Sequence, residues 1–124
     1  MKNRPPATGN ASIAPIKSLI EQKKYAGTDP YGVPILGFED SIRGQCEIGL
    51  GPLPTQFDDK GYAYTSLFLV PGVARWTLGG PYADKHPERP WSVVQELGVH
   101  YNIGHLAVAE RDTVRPDGKY LLAM

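Results

Sequence analysis

The sequence predicts an all-β fold of short strands joined by turns, with one short surface helix near the N-terminus. Three observations lead there. Fourteen glycines and 12 prolines among 124 residues are well above the roughly 12% that average usage gives, and both residue types disfavour helix interiors. Aromatic and aliphatic residues cluster in short stretches, as in Tyr62–Val70 and Val73–Leu78, which flank a Pro71-Gly72 turn signal. There is also a faint internal echo. Gly51-Pro52-Leu53 is matched by Gly104-His105-Leu106, and each is followed by an acidic turn and a Tyr-containing strand, DDKGYAY and PDGKYLLA. Four short strands in a unit of about 40–50 residues is the pattern of a β-propeller blade; chance likeness of turn motifs is the competing account.

Taken in order, residues 1–11 are polar and Pro-rich and are expected to form a poorly ordered end. Ser12 to Gly27 holds the helix candidate. Pro15 suits its first turn, Ile16, Leu19 and Ile20 share a face, Lys23 and Lys24 suit the negative end of the dipole, and Gly27 is expected to close it. Residues 28–44 read as a connector, since Pro30 and Pro34 disfavour helix before them. Strand character follows at Gln45–Ile48, Tyr62–Val70 and Val73–Leu78. It resumes after a polar loop (79–90) at Trp91–Val99, then at His105–Glu110, and, after the turn Arg115-Pro116-Asp117-Gly118, at Tyr120–Met124. The segment KYLLAM ends the chain on apolar strand material. Residues 12–124 are therefore expected to be a slice of a longer propeller, about two blades long.

Charge and composition exclude several classes. Thirteen basic and 13 acidic residues balance to a net charge of zero, which leaves no basic stripe for nucleic acid. No apolar run approaches the ~18 residues of a membrane-spanning helix, and no export signal is visible at the N-terminus. A single cysteine, Cys46, excludes an internal disulfide or an all-cysteine metal site within the chain.

Few residues offer chemistry. His86, in KHPERP, reads as a solvated loop residue. His100 and His105, in VHYNIGHL, would come near one site if Asn102–Gly104 turns; packed or capping histidines are the plainer reading, and two imidazole nitrogens alone make no metal site. Cys46 reads as a small buried strand residue without a partner to make it a nucleophile. Asp58 and Asp59 read as turn carboxylates before Lys60-Gly61, as do Glu110 and Asp112, and no complete calcium loop surrounds either pair.

Two motifs carry a resemblance. GLGPLPTQFDDKGYAY (49–64) together with VHYNIGHL (99–106) resembles nitrous oxide reductase, and the likeness runs from about Ile16 to Met124. The wording DPYGVPIL and HYNIGHL is similar to the atypical, second-clade branch of that family. The resemblance implies part of a seven-bladed β-propeller from a periplasmic copper enzyme that reduces N2O to N2. In the full enzyme a four-copper sulfide cluster sits at the hub, a cupredoxin domain carries the CuA site, electrons come from a small protein such as a cytochrome c or cupredoxin, and the assembly is a homodimer. The CuA domain is not part of this sequence. Calcium stays open.

Carried over residue by residue, the resemblance makes His105, in GHL, a copper-cluster ligand and His100 a neighbour that supports the ligands. Where the family has GLGPLHT this chain has GLGPLPT, so Pro54 stands in a ligand position and offers no lone pair. A degenerate copy, a sequence error (His and Pro codons differ by one base) and a partial chain in which the change has no effect all fit. The expectation is a chain inactive by itself. The alternative from another class is a propeller-derived interaction module without metal.

Overall fold

In the computed structural model, residues 7–11, 13–109 and 118–124 are described. The elements run β1 (Ala7–Ala11), α1 (Ile13–Glu21), β2 (Gly27–Thr28), β3 (Pro34–Ile35), α2 (Phe38–Ser41), β4 (Ile42–Glu47), β5 (Pro52–Phe57), β6 (Tyr62–Leu67), β7 (Gly72–Thr77), β8 (Val93–Gly98), β9 (Leu106–Ala107) and β10 (Leu122–Ala123), with a 3-10 turn at Gly80–Tyr82. They divide into two compact units, one spanning 9–45 and one built on 46–124. Of the segment expected to be a poorly ordered end, residues 1–6 lie outside the described residues and Ala7–Ala11 form β1.

In the first unit, α1 buries Leu19 and leaves Ile20 half exposed, the narrow stripe its sequence implies. Its end differs from expectation. The helix closes at Lys23, not at Gly27: Lys24 N–H donates to Leu19 O at 2.9 Å and Lys23 N–H to Ile20 O at 3.0 Å, with Lys23 at φ 53°. This is the paired bonding of a Schellman closure, here with a lysine in the left-handed position that glycine usually takes. Gly27 is released to begin β2. The expected connector is partly structured. Asp29 Oδ1 accepts from the N–H groups of Tyr31 (2.9 Å) and Val33 (2.8 Å), which folds the β2–β3 hairpin. The single-turn α2 carries Asp40, whose carboxylate meets Lys24 Nζ at 2.6 Å.

In the second unit, β5, β6, β7 and β8 form one antiparallel sheet in sequence order, the up-and-down meander of a propeller blade. The tight connections follow from turn chemistry. Asp58 Oδ1 accepts from Lys60 N–H and Tyr62 N–H, both at 2.9 Å, and Gly61 takes φ +83°, a conformation that costs a side-chain-bearing residue about 1–2 kcal/mol.

The two central strands are buried almost throughout, whereas β8 is mostly exposed. One face of the sheet packs Ala63, Leu67, Ala74, Trp76 and Leu78 against Cys46 and Ile48. The opposite face packs Val73 against Ile103 and Leu106, flanked by Tyr64, Leu121 and Ala123. A sheet covered on both faces explains why Tyr62–Val70 is too apolar to alternate cleanly. β9 and β10 pair as a separate two-stranded sheet, shorter than the expected strands 105–110 and 120–124. The all-β propeller reading holds. The turn expected at 115–118 lies largely outside the described residues.

Candidate functional site

Pro54 lies in β5, at one edge of the four-stranded sheet. The register pairs Pro52 with Leu67 and Thr55 with Thr65, so the strand carries one extra residue and Leu53-Pro54 bulge against Ser66. Bulges and edges are where a strand tolerates proline, because the missing N–H breaks no ladder bond. The Pro54 side chain is exposed.

Ser66 links this bulge to the second motif. Its hydroxyl donates to Gly104 O at 2.6 Å, one residue before His105. Ile103 and Leu106 are buried on either side. Gly104 N–H donates to Met124 O at 2.8 Å, and Met124 N–H to His105 O at 2.9 Å. The backbone of GHL is thus fixed from two directions while the His105 side chain stays exposed. Ser66, two residues beyond the first motif, thus joins β6 to the second motif. Sequence reading missed Ser66; the available signal was a hydroxyl within an apolar strand, since a buried hydroxyl needs a partner.

His100 is exposed, and its Nδ1 lies 3.0 Å from Tyr101 O. A carbonyl only accepts, so Nδ1 is the donor in this contact. His86 differs from the solvated residue expected. It is half buried, its ring stacks on Tyr62 with centroids 4.2 Å apart, and Nε2–H donates to Lys60 O at 2.9 Å. Cys46 is buried as expected, and burial, followed by the charge of Glu47, raises its pKa to about 11, which keeps it a neutral thiol. Asp58 is a turn carboxylate as read, and its Oδ2 also accepts from Tyr64 OH at 3.0 Å. Glu110 and Asp112 lie outside the described residues. Among the described residues no three His, Cys, Asp or Glu side chains gather as a metal site.

Residues 96–124, which hold β9, β10 and both histidines of VHYNIGHL, match the model of the nitrous oxide reductase propeller repeat. The chain belongs to the nitrous oxide reductase family. It is 41% identical over 112 residues to the nitrous-oxide reductase of Stutzerimonas stutzeri, covering 90% of this chain and 17% of that protein. To the enzyme of Ralstonia nicotianae it is 36% identical over 110 residues, covering 88% and 17%. To that of Cupriavidus necator it is 40% identical over 84 residues, covering 67% and 13%. The chain thus spans about a sixth of the length of these relatives, and the family is one of oxidoreductases. No helix among the described residues is long and apolar enough to cross a membrane.

The donor set does not fit a whole multi-copper cluster. A cluster of four coppers needs a ring of imidazoles; this chain holds three histidines, and Pro54 has no lone pair on its amide nitrogen. The histidines of this nitrous oxide reductase propeller segment therefore do not make up a complete site for such a cluster.

Proposed function

We propose that this chain is the section of a nitrous oxide reductase propeller that presents His105 to a copper cluster, with His100 beside it as a supporting residue. The reaction of the full enzyme, reduction of N2O to N2 in the periplasm with electrons from a small redox protein, belongs to a homodimer far longer than this chain. The observation that carries the reading is the Ser66–Gly104 bond. It ties the backbone beside His105 to β6 opposite the Pro54 bulge, which supports a reading in which the two motif positions face one site. Buried Ile103 and Leu106 anchor the segment and leave the imidazole to project. A rigid backbone with an exposed ligand is what a metal site shared among several blades requires.

Alone, the chain binds no four-copper sulfide cluster and reduces no N2O. The alternative reading, a metal-free interaction module derived from a propeller, draws support from Pro54, which sits in its bulge without breaking the sheet.

Copper titration of the purified chain distinguishes the two. The ligand reading expects one weakly held ion, lost in His105→Ala and retained in His86→Ala. No bound copper, or binding indifferent to His105→Ala, supports the metal-free module. Cluster-type absorption or N2O turnover from this chain would overturn the claim that it is inactive by itself.

A further inference from the structure

The sheet built from β5, β6, β7 and β8 has two edges, and the sequence treats them differently. Blades of a propeller pack face against face, so neighbouring blades cover the faces of this sheet and leave its edges. β5 carries two prolines and a bulge, both devices that blunt an edge. β8 reads VVQELG, with no proline and with Glu96 as its one charge. Its extra residue, Val94, falls near the start, where Arg75 pairs with Gln95 and Trp76 with Val93. From Gln95 to Gly98 the ladder with β7 is unbroken, and Val99 N–H extends it by donating to Pro71 O at 3.1 Å.

Antiparallel pairing alternates which residues turn their backbone groups to the neighbour. Val99 turns inward to Pro71. By alternation Leu97 and Gln95 also face β7, and Glu96 and Gly98 point their N–H and C=O groups away from it. Among the described residues no strand pairs with that side of β8. Under the function proposed above, Pro54 stands in a ligand position, which turns the β5 edge to the hub and the β8 edge to the rim. That placement rests on the proposed function, which copper titration tests separately from self-association.

We propose that the outer edge of β8 pairs with β8 of a second copy of this chain, antiparallel about a twofold axis at Leu97. Outward groups must meet outward groups, so the axis passes through a residue and not between two. An axis at Glu96 sets the two Glu96 carboxylates opposite each other, which like-charge repulsion disfavours. An axis at Gln95 runs the Val94 bulge into the ladder, and one at Gly98 carries much of the pairing past the end of the strand. At Leu97, Glu96 of each copy exchanges N–H···O bonds with Gly98 of the other, so the charge meets a residue without a side chain. Leu97, 58% exposed, meets its own counterpart on the axis, and Gln95 faces Val99 of the second copy. The edge is thus self-complementary, as a twofold interface requires.

The test is sedimentation of the full chain from micromolar to millimolar concentration, with amide hydrogen exchange read at both ends. A contact this short is expected to give a dimer only towards about 1 mM. Exchange at Glu96 and Gly98 should slow with concentration, while Leu97 and Val99, already bonded to β7, stay unchanged. Leu97→Lys sets two ammonium groups against each other on the axis and should weaken association by about tenfold. Glu96→Gln should leave it within about threefold. If Leu97→Lys does not fold, exchange in the unaltered chain decides alone. A chain still monomeric at millimolar concentration, a dimer in which Glu96 and Gly98 exchange as in the monomer, or a gain of about tenfold in Glu96→Gln would overturn the proposal.

Discussion

The indole N–H of Trp76 donates to the hydroxyl of Thr65 at 2.9 Å in the fully buried centre of the sheet. The same hydroxyl lies 2.8 Å from that of Thr55, so one polar thread joins β7, β6 and β5 through an otherwise apolar layer. Thr65→Val keeps the shape and strands the indole N–H. It is expected to cost about 1–3 kcal/mol, the range for an orphaned buried donor. Trp76→Phe in the Thr65→Val background should cost less than the sum of the two single changes, because the stranded indole N–H is then gone. Urea unfolding of the four variants checks both statements.

Ser66→Ala removes the bond to Gly104 O and leaves the packing of Ile103 and Leu106 in place. Global stability should fall by about 1 kcal/mol. Amide exchange at Gly104 and Met124, whose N–H groups hold the β9–β10 junction, should rise more than exchange in β6 and β7. Exchange that rises evenly over the whole sheet would contradict a local clasp.

Three glycines separate backbone strain from steric contact. At Gly32, φ is +83° and a Cβ would meet nothing within 4 Å; at Gly61, φ is also +83° but a Cβ would lie 3.2 Å from Lys85 Cδ and 3.3 Å from His86 Cδ2. At Gly79 the φ is ordinary, yet a Cβ would fall 2.2 Å from Trp91 Nε1. Gly32→Ala is therefore expected to cost about 1–2 kcal/mol from conformation alone. Gly61→Ala should cost more, and Gly79→Ala should displace the Trp91 ring, which thermal melts and the tryptophan emission maximum will report.

Alkaline pH should destabilise the chain in a defined window. Burial raises the Cys46 pKa from 9.0 to about 11. Burial, reinforced by the Asp58 carboxylate, raises that of Tyr64 from 10.0 to about 12. Both groups hold their protons longer when folded than when unfolded, so the unfolded state binds fewer protons as pH rises and stability falls with pH. The loss should begin near pH 9 and continue towards pH 12, and Cys46→Ala should remove its earlier part. Native Cys46 is also expected to resist alkylation at pH 8 and to react once unfolded.

What could be read from sequence depended on whether local chemistry decided the outcome. β6 and β7 were legible because apolar stretches flank a strong turn dipeptide, but β6 ends at Leu67 and not at Val70, the turn spans 68–71, and Gly72 already pairs with Leu67 as the first residue of β7. β5 was not: PLPTQF has two prolines and no alternation, and it is a strand because β6 pairs with it across a bulge. The helix end moved from Gly27 to Lys23 because bonds back to Leu19 and Ile20 outweigh the preference for glycine in a left-handed residue. His105 was singled out by its motif, and the anchoring of its backbone by Ser66 and Met124 came only from residues distant in sequence.

The proline-bearing bulge in β5 also governs how copies of this sheet meet one another. An exposed edge strand invites a second chain to add on by main-chain hydrogen bonding, and proline is one of the devices that blunts such an edge. Two of the six residues of β5 have no N–H to offer, and the bulge breaks the flat ladder a newcomer would need. Self-association through sheet extension is thereby directed away from β5, and the two prolines make that edge less sticky.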